Sequence, residues 1–306
     1  MSSNMGTGNM GTGNMGIGNA GAGGSGGGGA FFADRVDLPF VTADFAPGSP
    51  ISQQKIWPPC FPINNWTAEW YSWLVLTQFV CDATWQGWDI LPGWAATGGK
   101  IDWNSTGAQK KVEGEIKCLV TMARDERSDA LAEIISQKDE FLSYFMNLLS
   151  VPASHPATVK VLAAASFVAG FCAMYYKGKY HRPRPSMLRP ALLPPIAVPG
   201  HASLPSGHST QAHLMALCMT EVLTGTPLLP SMGNDLAALA QRIARNREIA
   251  GLHYSSDTEA GVKLAGYAWG VLKQQMADNP TTNWFAIAMA EAQGEWPKYP
   301  PAEAAE

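Results

Sequence analysis

Basic residues are scarce in this chain. Lys and Arg number 21 against 25 Asp and Glu, a net charge of −4. That balance argues against a nucleic-acid partner, since phosphate backbones select for basic faces. Cysteine is sparse and odd in number: Cys60, Cys81, Cys118, Cys172 and Cys218. None falls in a C-x-x-C or Cys/His zinc spacing, so the five read as reduced core or surface thiols. Period-2 alternation is missing, which argues against half-buried strands. Long apolar runs are missing too. The longest uncharged apolar run near the motifs described below, Val161 to Tyr176, has 16 residues, short of the ~20 needed to span a bilayer. The chain therefore reads as not integral to a membrane. The N-terminus lacks the basic start and apolar stretch of a signal peptide, which leaves the compartment unknown.

What is present is 306 residues with 46% hydrophobic content, enough for one sizeable packed domain. Residues 4–23 repeat a five-residue unit, NMGTG, NMGTG, NMGIG, NAGAG, and a Gly-rich stretch continues to Gly29. Such a segment buries too little to offset its ordering entropy, so residues 1–30 are expected to be disordered. Residues 31–290 are expected to form a single α-helical domain, with 291–306 as a C-terminal tail. Residues 31–65 are Pro-rich and irregular. Helices are predicted from Trp66, over 108–124, and over 128–150 with Ser128 as N-cap, because apolar residues recur there at helical spacing. Further helices are predicted at about 158–179, 207–224, 235–250 and 257–276. The VPASHPA stretch (151–157) and a Pro-rich loop (185–205) separate them. The fold class is all-α, a helical bundle. Eight of the eleven tryptophans lie within 57–103, which reads as an aromatic core layer or, alternatively, as a wall beside a substrate site.

Three short motifs carry chemistry. Lys177 is followed seven residues later by Arg184-Pro185, then comes Pro205-Ser206-Gly207-His208, and last Arg247, His253 and Asp257 in the pattern R-x5-H-x3-D. They supply three cations, a hydroxyl at a Gly turn and two histidines. Arg presents a planar fork to two oxyanion oxygens and Lys a point charge. Lys177, Arg184 and Arg247 would therefore neutralise a tetrahedral anion and the charge of its transition state. Ser206 is a natural N-cap, and Gly207 lets the backbone approach an anion at a helix N-terminus. His253 would attack, His208 would protonate the leaving oxygen, and Asp257 would orient His253. A second reading of Asp257 is a first-turn acid in a capping box, Ser256-Asp257-Thr258-Glu259.

The motif set resembles the superfamily that joins class A bacterial acid phosphatases, type 2 phosphatidic acid phosphatases and vanadium-dependent haloperoxidases. The resemblance covers roughly residues 160–275, and Asn246 stands where the family usually has Ser. It implies a helical bundle and a phosphoric monoester hydrolase of the acid phosphatase type, acting through a phosphohistidine with no cofactor. The alternative it implies is a bromoperoxidase-like haloperoxidase, with vanadate as cofactor and His253 ligating the vanadium. The partners are then a small-molecule phosphate ester, or halide and peroxide, and an oligomer is left open. His201, five residues before Ser206, matches a histidine of the bromoperoxidases and is a candidate halide or substrate-pocket residue. Met174 stands where other haloperoxidases carry Trp. His181 and His213 read as surface or structural residues, and His155 as a loop residue.

A chain shortened to begin at Ala30 is expected to keep the melting temperature and specific activity of the full chain, measured side by side by calorimetry and phosphatase assay. Loss of either would show that the repeat docks on the domain.

Overall fold

The computed structural model describes residues 61–95, 102–103, 105–151 and 154–297. The N-terminal repeat and most of the Pro-rich segment, with Trp57 and Cys60, lie outside these residues. Every regular element among the described residues is helical. The α-helices are α1 (Ala68–Phe79), α2 (Thr106–Asp125), α3 (Arg127–Ser136), α4 (Phe141–Leu148) and α5 (Pro156–Tyr180). They continue with α6 (Pro185–Leu188), α7 (Gly207–Val222), α8 (Leu229–Ile249), α9 (Ser255–Asp278) and α10 (Trp284–Gly294). Contacts divide the chain into two units, one of which includes residues 68–306. Of the other, 18–67, the described part holds one 3-10 turn, Ile63–Asn65, with Phe61 edge-on to Trp66.

The centre of the bundle is α5, against which α1, α7, α9 and α10 all pack. The run Ala163, Ala164 and Ala165 is fully buried, because side chains this small let neighbouring helices approach closely. Pro156 opens α5 at its first turn, where its missing N–H costs nothing. The carboxylate of Glu295 accepts from the backbone N–H groups of Ala157 and Thr158, both at 2.8 Å, which satisfies two of the helix's orphan donors. The tail boundary placed at 291 thus falls inside α10, and the residues just after that helix, Glu295 and the buried Trp296, belong to the bundle. By length and composition α5, extended to Leu188, is also apolar enough to cross a membrane. Counting only the uncharged run missed this, since the helix continues through Lys160 and Lys177. Most of that stretch is buried against other helices.

The helix expected over 128–150 is two helices. It begins one residue before Ser128, with Glu126 as N-cap, and it stops at Ser136. Apolar spacing runs across the break because α3 and α4 both pack against α8. The backbone departs at Gln137, whose carbonyl leaves the helical ladder to accept from His208 Nε2 at 3.0 Å. The Pro-rich loop after α5 holds α6 and a 3-10 turn, Pro190–Leu192. The four described cysteines are free thiols.

The N-terminal halves of α7 and α9 meet at Gly261. A Cβ placed there would lie 2.7 Å from Ser209 Cβ and 2.9 Å from the Ser206 carbonyl oxygen. Gly261→Ala should therefore destabilise the fold by about 1–3 kcal/mol through overpacking, read as a shift in the urea midpoint. An unchanged midpoint would show that the two helices do not meet this closely.

Candidate active site

Asp257 sits at the third position of α9, fully buried. Its Oδ1 accepts from Arg182 Nη1 at 2.7 Å. Its Oδ2 accepts from Ser203 Oγ, from His253 Nδ1 at 3.1 Å and from the Tyr254 N–H at 3.1 Å. The last contact caps the helix, so Asp257 orients a histidine and serves as first-turn acid together. The cap residue is Tyr254, three residues before Asp257, and not the Ser256 of the sequence reading. Burial alone would raise the Asp257 pKa, but Arg182, His253 and Ser203 outweigh it and hold the carboxyl well below the usual range.

The tautomer of His253 follows from its partners. Arg184 Nη1 lies 3.0 Å from His253 Nε2, and a guanidinium can only donate. Nε2 is therefore the unprotonated nitrogen and Nδ1 carries the proton toward Asp257. Arg184 Nη2 lies 3.0 Å from His201 Nδ1, and Arg184 Nε donates to the His201 carbonyl at 3.0 Å. His201 Nδ1 also lies 3.2 Å from the Ala202 carbonyl, so it faces one donor and one acceptor. His201 thus grips Arg184, which in turn touches His253. Burial first, then Lys177 and Arg184, lowers the His201 pKa to about 4.

Lys177 is buried and its Nζ donates to the carbonyls of Ala202, Ser203 and Pro205. All three of its donors are directed at the loop that leads into Ser206. Ser206 itself caps α7, its Oγ accepting from the Ser209 N–H at 3.3 Å, and its N–H donates to the Asp257 carbonyl at 2.9 Å. Both residues therefore hold the loop.

Arg247 is different. It is 0% exposed, its Nη2 donates to the Ile134 carbonyl at 2.9 Å, and its Nε and Nη1 have no hydrogen-bond partner among the described residues. It lines one small cavity of about 50 Å³ together with Lys177, Arg184, His201, Gly207, His208 and His253. Seven of the nine expected site residues therefore converge there, while Ser206 and Asp257 stand behind the wall. His208 sits against the Phe141 ring at 4.9 Å, and since the Gln137 carbonyl can only accept, its Nε2 carries the proton. Burial, with Arg247 next, holds its pKa well below the usual value. Asn246 donates through Nδ2 to Glu133 and to Gln137, both at 2.9 Å, fixing the end of α3 that receives His208 and Arg247.

Several residues that matter carry no motif signal. Arg182 is fully buried between Asp257 and Glu115, 2.7 Å from each, and lies 3.8 Å from the Tyr254 ring and 5.0 Å from the Trp103 ring. Its only trace in sequence is the first Arg of R-P-R-P. Ser203 and Glu115 have no trace at all. Part of the tryptophan cluster, Trp94 and Trp103, stands over Arg182, whereas Trp85 packs in the core on Phe171 and Tyr175. His181 is an exposed left-handed helix end and His213 bonds its own helix at Ser209. His155 precedes α5 and lies 4.8 Å from the Trp296 ring.

With this geometry in place, comparison with known proteins is informative. Residues 157–280 match the PAP2 superfamily. The matched span includes every site residue from Lys177 to Asp257 and leaves α1 to α4 outside. Two curated relatives, both named decaprenylphosphoryl-5-phosphoribose phosphatase and both from Mycobacterium tuberculosis (strains CDC 1551 / Oshkosh and ATCC 25618 / H37Rv), are 35% identical over 104 residues. That alignment takes in 34% of this chain and 53% of each relative. The chain thus spans about half the length of the curated relatives it matches.

Two buried imidazoles, His208 and His253, and two half-buried ones, His201 and His213, have pKa values lowered chiefly by burial. In the unfolded chain each would take up a proton near pH 6.5. Their neutral burial is without penalty above that pH. Below it the unfolded state binds more protons, so stability falls by about 1.4 kcal/mol per pH unit for each of His208 and His253, and by less for the half-buried pair, which water screens. Asp257 works the other way round, since its depressed pKa keeps its contribution intact until far lower pH. Urea unfolding at pH 7.5, 6 and 5 should therefore show a steep loss of stability below about pH 6.5. A flat profile would mean that these rings are not buried neutral.

Proposed function

We propose that the protein is a phosphoric monoester hydrolase that works through a phosphohistidine on His253. The observation that carries this reading is Arg247, a fully buried guanidinium with two nitrogens unpartnered among the described residues, on a cavity shared with a histidine whose Nε2 is unprotonated. An uncompensated buried charge is costly, and a tetrahedral oxyanion is the partner that suits its fork. The curated relatives, named as phosphatases, support the same reading.

In this reading, phosphate oxygens take donors from Arg247 and Arg184 and from the N-terminus of α7 at Gly207. Arg184 turns from His253 Nε2 to an oxygen, freeing that lone pair. Nε2 forms a bond to phosphorus as the P–O bond to the alcohol breaks, and Asp257 stabilises the charge that develops on the ring. His208 hands a proton to the departing alcohol oxygen. The anion raises the low pKa of His208 enough for it to carry that proton. Water then attacks phosphorus, the P–N bond breaks, His208 regains a proton, and inorganic phosphate leaves. No step needs a cofactor. The same donors fit vanadate, which should compete with phosphate. The relatives lend no support to halide oxidation, and His201 is engaged in holding Arg184. The relatives' printed name adds a prenyl-linked sugar phosphate as a substrate class to assay beside simple esters.

His253→Ala should reduce p-nitrophenyl phosphate turnover to below a few per cent while the protein stays folded. More residual activity would remove His253 from the chemistry. Gly207 separates anion binding from packing, because a Cβ there would meet nothing closer than Gln211 Oε1 at 3.9 Å. Gly207→Ala should keep the wild-type melting temperature and raise KM or the inhibition constant of phosphate by roughly tenfold, about 1.4 kcal/mol. Unchanged kinetics would place the anion elsewhere.

A further inference from the structure

We propose that a second cavity, reached from Asp257 through Arg182, binds an uncharged amphipathic molecule that presents an oxygen acceptor at one end. The cavity has a volume of about 840 Å³ and shares no lining residue with the anion cavity. Its apolar wall is a stripe of α2, Val112, Ile116 and Val120, facing Leu188 of α6. These α2 positions recur every four residues, the spacing of one helix face. A lining of this kind, mostly apolar with a few convergent polar groups, is what small-molecule sites share.

The polar end is built by Arg182 and Tyr254. Both line the cavity, both are at least 99% buried, and Arg182 Nε and Tyr254 Oη have no hydrogen-bond partner among the described residues. Buried polar groups are ordinarily satisfied. Two such donors in one cavity point to an acceptor shared between them. Charge decides what kind. Arg182 is already flanked by the carboxylates of Asp257 and Glu115 at 2.7 Å each, so the cluster carries one negative charge too many for a further anion. Glu113, Lys117 and Arg189 lie on the exposed rim, where water screens them. A hydroxyl, ether or carbonyl oxygen satisfies both donors without that repulsion, and the apolar wall takes an aliphatic body. Because Arg182 also grips Asp257, the occupant touches a partner of the group that orients His253.

The inference does not depend on the phosphatase reading, since binding is measured directly. Calorimetric titration of the full chain with 1-octanol, followed also by tryptophan fluorescence because Trp103 lines the cavity, should show saturable one-to-one binding. Octanoate should bind at least tenfold more weakly. Val120→Trp, which fills the cavity from an exposed position, and Tyr254→Phe, which removes one donor, should each weaken 1-octanol at least fivefold. Saturating inorganic phosphate should leave its affinity unchanged. The proposal is overturned if 1-octanol does not saturate, if octanoate binds as well, or if either variant keeps wild-type affinity. It is equally overturned if phosphate displaces 1-octanol, since the cavity would then be an extension of the anion site.

Discussion

The site depends on one buried carboxylate. Asp257 collects donors from four sources: Arg182, Ser203, His253 and the Tyr254 backbone. An isolated carboxylate in that position would cost many kcal/mol, and removing a single charged partner from such a pair typically costs about 3–5 kcal/mol. The surrounding structure is arranged to supply those donors. The loop carrying Ser203 is pinned by Lys177, and Arg182 follows the end of α5. Glu115 of α2 accepts from Arg182 Nη2 at 2.7 Å and from the Ser256 N–H at 2.8 Å, so a helix far away in sequence holds the start of α9. The unprotonated nitrogen of His253 is then defined by default, as the one that Asp257 does not engage.

The parts of this arrangement that could be read from sequence are those held within short segments. The spacing of R-x5-H-x3-D places Arg247 at the end of α8 and Asp257 in the first turn of α9, with His253 in the turn between. Pro205-Ser206-Gly207-His208 marks a helix start for reasons of capping alone. Helix positions were legible where apolar spacing and breakers agreed, as at α5 and α7. They were not legible where a helix ends for a tertiary reason. Gln137 interrupts the 128–150 pattern because its carbonyl is used by His208, 71 residues away, and no local residue announces this. The last helix was not predicted and its end, 291–294, was placed in a tail for a similar reason: Glu295 and Trp296 matter through contacts with α5.

Sequence alone does not divide the work among the cations. Lys177, Arg184 and Arg247 looked equivalent, three positive groups for one anion. Burial separates them. Lys177 has all three donors on loop carbonyls, Arg184 divides its donors among His201, His253 and the Leu252 carbonyl, and Arg247 keeps two nitrogens in reserve. Arg182, which no motif selected, neutralises Asp257. Which Arg binds substrate and which binds protein cannot be deduced from charge and spacing, since both require the same side chain; it is decided by where the acceptors are.

That division explains why the matched family span stops short of what the site requires. Residues 157–280 contain every group that would touch an anion, yet the acceptors that orient those groups come partly from outside it. Ile134 holds Arg247, Gln137 holds His208 and Asn246, and Glu115 holds Arg182. The chemistry can therefore stay in a short set of motifs while α2 and α3 control its geometry. A chain that kept the motifs but replaced these two helices would have to find new acceptors for two buried arginines and a buried imidazole. Without them the guanidinium of Arg247 would carry three unsatisfied nitrogens instead of two, and its aim at the cavity would rest on packing alone.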